Sequence, residues 1–376
     1  MITKKQLQTF DYLLVLLVSA LVIFGIVIIG SATKININGP KNEFQSQMIW
    51  FATGFVLMLL AAFIDYRTIS RFYLFLYGIN IFLLILVLLI GGDDGTGVKR
   101  WIFGIQPSEF SKVFMIIYLS KFIDKHREKV NNISILLVVF ISTLIPFLLI
   151  KEQPSLSASL VTLAIMITLL FTGKISYKYI FIALAIVIPI AIVVAIDLHT
   201  EEHKILNLFL EPYHIKRLTT SINPDLSSPD YYQTKNSIWA IGSGELRGKG
   251  LYQGTINQLS YLPESHNDFI FSVIGEEFGF LGCVGVLVVM LLIIGRCLII
   301  AGKSMDNLGK LIASGVAGML AFQTFVNVGV ATGLLPNTGM PFPFLSYGGS
   351  SMWINMISIG LVLNVGMRKP KSIFEG

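Results

Sequence analysis

LPESHNDFIFSVIGEEFGFLGCVGVLVVMLLIIGRCLII, Leu262 to Ile300, is a polar turn that opens directly into a long apolar run. Crossing ~30 Å of hydrocarbon takes about 20 helical residues, and this run is long enough to do so. Asp268 stands at its mouth. For a helix beginning near Asn267, Glu276 and Glu277 fall roughly two and a half turns deeper. Ionisable groups at that depth face a bundle interior or a wet cavity and mark function by default. From the residues alone, Asp268 is either a reacting carboxylate or a first-turn acid serving the helix dipole, with Asn267 or Asp268 as the cap. The Glu276 and Glu277 pair reads foremost as the ion-pair partner of a basic residue on a neighbouring span.

The same apolar pattern recurs along all 376 residues, of which 54% are hydrophobic and only 13% charged. That charged fraction is roughly half the usual share of a soluble domain. The expectation is an all-α polytopic membrane protein of about ten transmembrane helices. They centre near Val22, Val56, Leu84, Ile117, Val139, Ile165, Ile186, Leu287, Met319 and Ile357. The fourth, Ser108 to Phe122, is short and carries Glu109 and Lys112. The first run lacks a cleavage pattern and reads as a retained helix. Cys283 and Cys297 lie within one apolar segment and read as small core residues rather than a disulfide framework.

Residues 1–376 thus form a single transmembrane domain with one long outer loop, 197–267, between the seventh and eighth helices. The basic residues of alternate connections set that orientation. Lys4, Lys5, Arg67, Arg71, Lys121 to Lys129, Lys174, Lys178, Arg296, Lys303, Lys310 and Arg368 to Lys371 lie on one side, far outnumbering those on the other. Both termini are expected in the cytoplasm. The positive balance records topology and contact with anionic lipid, with no call for nucleic acid.

Inside the long loop, IDLHTEEHKILNLFLEPYHIKRL (196–218) has near-helical apolar spacing and could lie at the membrane interface. AIGSGELRGKG (240–250) is dense in glycine, as tight turns or close backbone approach require. His199 and His203 stand four apart around Glu201 and Glu202, but they lack a third fixed metal ligand. GLLPNTGMPFPFLSYGGSSMW (333–353) breaks helices at membrane depth, where irregular backbone survives only if buried in protein or lining a cavity. The polar candidates all lie on the outer side: Lys99, Arg100, Glu109, Lys112, Lys151, Glu152, Lys216, Arg217, Asp268, Glu276 and Glu277. Glu109 and Lys112 share a helical face and could pair with each other. The two basic doublets, Lys99 with Arg100 and Lys216 with Arg217, suit either lipid headgroups or a diphosphate. No Walker-type loop supports a cytoplasmic nucleotide-driven pump.

Four stretches in this order, KRWIFGIQPSEFSK, YYQTKNSIWAIGSGELRGKG, LPESHNDFIFSVIGEEFGFLG and GLLPNTGMPFPFLSYGGSSMW, resemble the shape, elongation, division and sporulation (SEDS) family. The resemblance runs from the first span to Arg368. It implies an enzyme of the bacterial cytoplasmic membrane that polymerises lipid II into peptidoglycan glycan strands on the outer face. It also implies a class B penicillin-binding protein as cross-linking partner, alongside other elongation or division proteins. The family's essential carboxylate falls on Asp268. Arg100, Trp101, Glu109 and Lys112 match its cavity residues, with Lys216 and Arg217 as further candidates for the substrate diphosphate. Asp268 would act as general base, its pKa raised by partial burial. A divalent cation, magnesium or manganese, could accompany the diphosphate, although no dedicated metal site is visible. The chain departs from the family pattern at Ser155 and Ser157, where Asp and Gly are usual, and at Glu245, where Gly is usual. These departures suggest a specialised member. Two alternative functions are a lipid II flippase and a non-catalytic partner of the penicillin-binding protein.

Overall fold

The computed structural model describes residues 8–33, 43–93, 99–102, 104–153, 155–198 and 229–368. Each predicted span centre falls in its own helix. These are α1 (Tyr12–Ala32), α2 (Glu43–Phe63), α4 (Tyr73–Ile90), α5 (Pro107–Lys125), α6 (Ile133–Lys151), α7 (Leu156–Thr172), α8 (Tyr177–Leu198), α11 (Ile270–Gly302), α12 (Asn307–Ala331) and α13 (Gly349–Met367). Three shorter helices complete the set: α3 (Tyr66–Arg71), α9 (Pro229–Ser243) and α10 (Thr255–Gln258). Among the described residues, eight helices are long and apolar enough to cross a membrane. The other two spans are α5, which carries charges, and α7, which is short. Both are nonetheless built into the bundle: α5 packs on α4, α7, α12 and α13, and α7 on α6 and α12.

Helices α12 and α13 are buried over most of their surfaces and form the centre. At the opposite extreme, α8 leaves most of its described apolar side chains exposed and none buried, as a lipid-facing helix must. Its start is tied down where Tyr179 Oη donates to Asn131 O at 2.8 Å. At the bundle end that holds Asp306, Tyr66 Oη and Arg67 Nε donate to the two Asp306 oxygens, each at 2.8 Å. Burial, reinforced by Asp306, pushes the Tyr66 phenol above its usual range and keeps it protonated as a donor.

Two segments depart from a plain bundle. The first is the connection between α12 and α13, which re-enters the protein. Met340, Phe342, Phe344 and Leu345 are buried, and a Cβ on Gly25 of α1 would lie 2.9 Å from Leu345 Cα. Gly25 sits seven residues before the end of α1, so the connection reaches about 10 Å into the bundle. The irregular backbone is therefore buried in protein, as its composition predicted.

The second is a break in α11 at Gly279, whose backbone (φ 65°, ψ −160°) is not helical. Nearly all of the piece from Ile270 to Gly279 is buried, whereas Phe280 and Leu281 beyond it are exposed. The peptide groups released by the break bond to the 245–250 stretch. Lys249 N donates to Glu276 O at 3.0 Å and Gly250 N to Glu277 O at 2.9 Å. In return Phe280 N reaches Glu245 O at 2.8 Å and Leu281 N reaches Leu246 O at 3.2 Å. Unpaired peptide groups at this depth are costly, so the broken helix depends on the crossing chain.

The glycine density at 240–250 thus serves close approach to the chain itself. A Cβ on Gly248 would stand 2.2 Å from Glu277 O, at a backbone φ of +78°. Gly248→Ala is expected to cost about 1–3 kcal/mol through that collision, with about 1–2 more from the left-handed backbone. Thermal unfolding in detergent against Gly242→Ala, where an added Cβ meets nothing within 4 Å, provides the check.

The second half of the long loop is accordingly folded: α9 packs on α11 and α12. The interfacial helix expected at 196–218 and the His199/His203 pair lie outside the described residues, apart from the 196–198 end of α8. A short hairpin, β1 (Gly92–Asp93) against β2 (Lys99–Trp101), was not anticipated in an all-α chain.

Candidate active site

Asp268 lies in the turn that precedes α11. The helix cap is Phe269 and makes no side-chain capping bond, so Asp268 is not the first-turn acid that one reading allowed. Three successive carbonyls of this turn are instead tied to α12 and the re-entrant connection. His266 O accepts from Tyr347 N at 3.0 Å, Asn267 O from Ser346 Oγ at 2.6 Å, and Asp268 O from Asn327 Nδ2 at 2.9 Å. The Asp268 carboxylate is half-buried. It lies against Gly339: a Cβ there would come within 3.3 Å of Asp268 Oδ2, and the backbone φ of +66° already favours glycine. Ser157 Oγ, at the start of α7, donates to Gly339 O at 3.3 Å. The departure at Ser157 therefore supplies a hydroxyl that braces the far wall of the site.

Arg100, on β2, is half-buried, and its Nε donates to Gln153 O at 3.1 Å, just before α7. Trp101 follows it, also half-buried. The hairpin thus places Arg100 at the same bundle end as Ser157, Gly339 and Asp268.

Pro107 begins α5 and Glu109 sits in its first turn, as expected. Glu109 nevertheless does more than complement a dipole. Lys112 Nζ donates to Glu109 Oε1 at 2.6 Å, with side chains only 2% and 5% exposed. The second Glu109 oxygen and the Ser108 and Ser111 hydroxyls are buried and make no hydrogen bond among the described residues. Buried polar groups of this kind are ordinarily satisfied by water or ligand. Lys216 and Arg217 lie outside the described residues.

Glu276 and Glu277 are buried but serve the loop. Glu276 pairs with Lys249 Nζ at 2.7 Å and accepts from Ile256 N at 2.8 Å and Asn257 N at 3.1 Å, capping α10. Ser31 Oγ on α1 donates to Glu277. The ion pair expected of this doublet exists, with a partner from the loop rather than from another span. Glu245 holds a left-handed φ of +49°, which explains why glycine suits that position. Asn327, Gly339 and Ser346 were not singled out in the sequence. An amide within an apolar run was the available signal for Asn327.

Residues 11–371 match the FtsW, RodA and SpoVE family of cell cycle proteins. The chain belongs to the SEDS family. Among SEDS relatives, a probable peptidoglycan glycosyltransferase FtsW of Trichlorobacter lovleyi is 34% identical, over 96% of this chain and 94% of its own. Stage V sporulation protein E of Bacillus subtilis is also 34% identical, over 97% and 98%. The crystal structure of Thermus thermophilus RodA superposes with a TM-score of 0.69 at 28% identity, covering 96% of this chain and 98% of that one. A chain solved in a study of how a peptidoglycan synthase complex coordinates polymerization and crosslinking superposes at 0.77, with 28% identity and 95% and 97% coverage. The SEDS fold is therefore that of a multi-pass, all-helical membrane protein.

Proposed function

We propose that this chain is a peptidoglycan glycosyltransferase that polymerises lipid II into glycan strands at the outer face of the bacterial cytoplasmic membrane. The observation that carries the reading is a half-buried carboxylate, Asp268, braced at the bundle end that also holds Arg100. The names of the full-length relatives support it. In the proposed step the 4-hydroxyl of one GlcNAc attacks the MurNAc anomeric carbon of another chain and expels undecaprenyl diphosphate. Asp268 accepts the hydroxyl proton as general base, a role that contributes roughly 10²–10⁴-fold. Arg100 and Lys112, with Lys216 or Arg217, stabilise the charge that develops on the departing diphosphate. Single inverting displacement needs no covalent intermediate.

Among the described residues no three His, Cys, Asp or Glu side chains are grouped as metal ligands. A magnesium or manganese ion could accompany the substrate diphosphate, and the residue roles above do not depend on it. The distribution of basic residues among the connections supports a topology with both termini in the cytoplasm and 197–267 outside. The partner expected is a class B penicillin-binding protein, consistent with the synthase complex that this chain resembles.

The test is glycan-strand formation from purified lipid II, by the chain alone and with a transpeptidase-dead partner. Polymer is the expected product. Headgroup movement across vesicles without polymer would favour a flippase instead. Stimulation of an active partner without polymer would favour a purely recruiting role.

A further inference from the structure

We propose that Asn327 is the positioning residue for Asp268, setting the gap between the carboxylate and its opposite wall. This rests on the reading of Asp268 as the base. Asn327 lies one turn before the end of α12 and is buried. Its Nδ2 donates twice, to Asp268 O at 2.9 Å and to Met340 O at 2.7 Å. Only an NH2 group can donate to two carbonyl oxygens, so the chemistry settles which way the amide faces.

The two acceptors are the two sides of the site. One is the backbone of the carboxylate residue itself. The other belongs to the residue after Gly339, against which the carboxylate lies. Asp268 O precedes the α11 cap, where the first helical amides, Ser272 N and Val273 N, turn to Phe269 O instead. Asn327 therefore supplies a hydrogen bond that the helix does not. His266 and Asn267 are fixed from the connection itself, but Asn327 alone of these donors bonds both segments from a third element. Without its amide, a buried carbonyl and a part-buried one lose a donor, and the carboxylate and glycine walls lose their common anchor. Misplacement by about 1 Å at a reacting centre can lower turnover roughly 10²-fold.

The experiment compares Asn327→Leu, which keeps the volume but no donor, with Asn327→Ser, which keeps one. Measurements are kcat and KM for lipid II polymerisation, the pH profile of kcat, and thermal unfolding. We expect kcat to fall about 10²-fold for Asn327→Leu, less for Asn327→Ser, with KM within about threefold and the acid limb of the profile displaced. Both variants should unfold at a lower temperature, Asn327→Leu the more so, so kcat and the pH profile are read on folded protein well below that temperature, and if Asn327→Leu fails to fold, Asn327→Ser carries the test. Unchanged kcat and pH profile in the folded variant, while Asp268→Asn is inactive, would overturn the positioning role alone. Wild-type turnover by Asp268→Asn would overturn the base reading and this inference with it.

Discussion

Asp268→Asn is expected to lower lipid II polymerisation by about 10²–10⁴-fold while leaving the fold intact. The structural reason is that the turn carrying this residue is held through three successive backbone carbonyls. Tyr347 N, Ser346 Oγ and Asn327 Nδ2 grip His266, Asn267 and Asp268 at their carbonyl oxygens, bonds that a side-chain substitution at Asp268 leaves in place. An isosteric amide fits the same half-buried space beside Gly339 but cannot accept the hydroxyl proton. Asp268→Glu should fare little better, because one more methylene drives the carboxylate toward the Gly339 wall, where an added Cβ would already stand 3.3 Å from Asp268 Oδ2. Gel-resolved polymer from purified lipid II, with thermal unfolding measured in parallel, checks both variants. Polymer from Asp268→Asn within a few-fold of wild type would remove this carboxylate from the chemistry.

The helices were legible because crossing hydrocarbon imposes length and apolarity locally, and each centre from Val22 to Ile357 lies in its own helix. Glu109 and Lys112 were legible for a similar reason: three-residue spacing puts them on one face, and they pair. What the sequence withheld depends on chain segments meeting across long separations. GEEFGFLG reads as uninterrupted helix, since glycine is tolerated in a span. The break at Gly279 exists because residues 245–250 replace its lost bonds. The same meeting turned Glu276 into a cap for α10 rather than a partner for another span. Gly339 gave no signal as part of the site, because its role is contact with a side chain about seventy residues earlier. Asn327 carries little signal in the sequence, because a lone amide in an apolar run stands out less than a charge, whereas this site is organised by an amide.

Lys112→Met is expected to damage both fold and activity, and a second substitution separates the two. The ammonium is buried against Glu109 at 2.6 Å. Removing it leaves a buried carboxylate without its counter-charge, a loss of about 3–5 kcal/mol in typical buried pairs. Replacing both partners by neutral groups avoids that penalty and is often near neutral for stability. Glu109→Gln with Lys112→Met should therefore recover the unfolding temperature of the wild type to within a few degrees. Activity should not return with it. If Lys112 stabilises the departing diphosphate, the refolded double variant stays slow by about 10²–10³-fold, the usual scale for losing one electrostatic donor. The unpaired Ser108 and Ser111 hydroxyls and second Glu109 oxygen beside it are consistent with a site that receives a polar group. Lys112→Arg is no substitute, because the broader guanidinium does not fit a position closed around an ammonium. A stable double variant that polymerises lipid II at the wild-type rate would make the pair purely structural and leave Arg100 to meet the diphosphate.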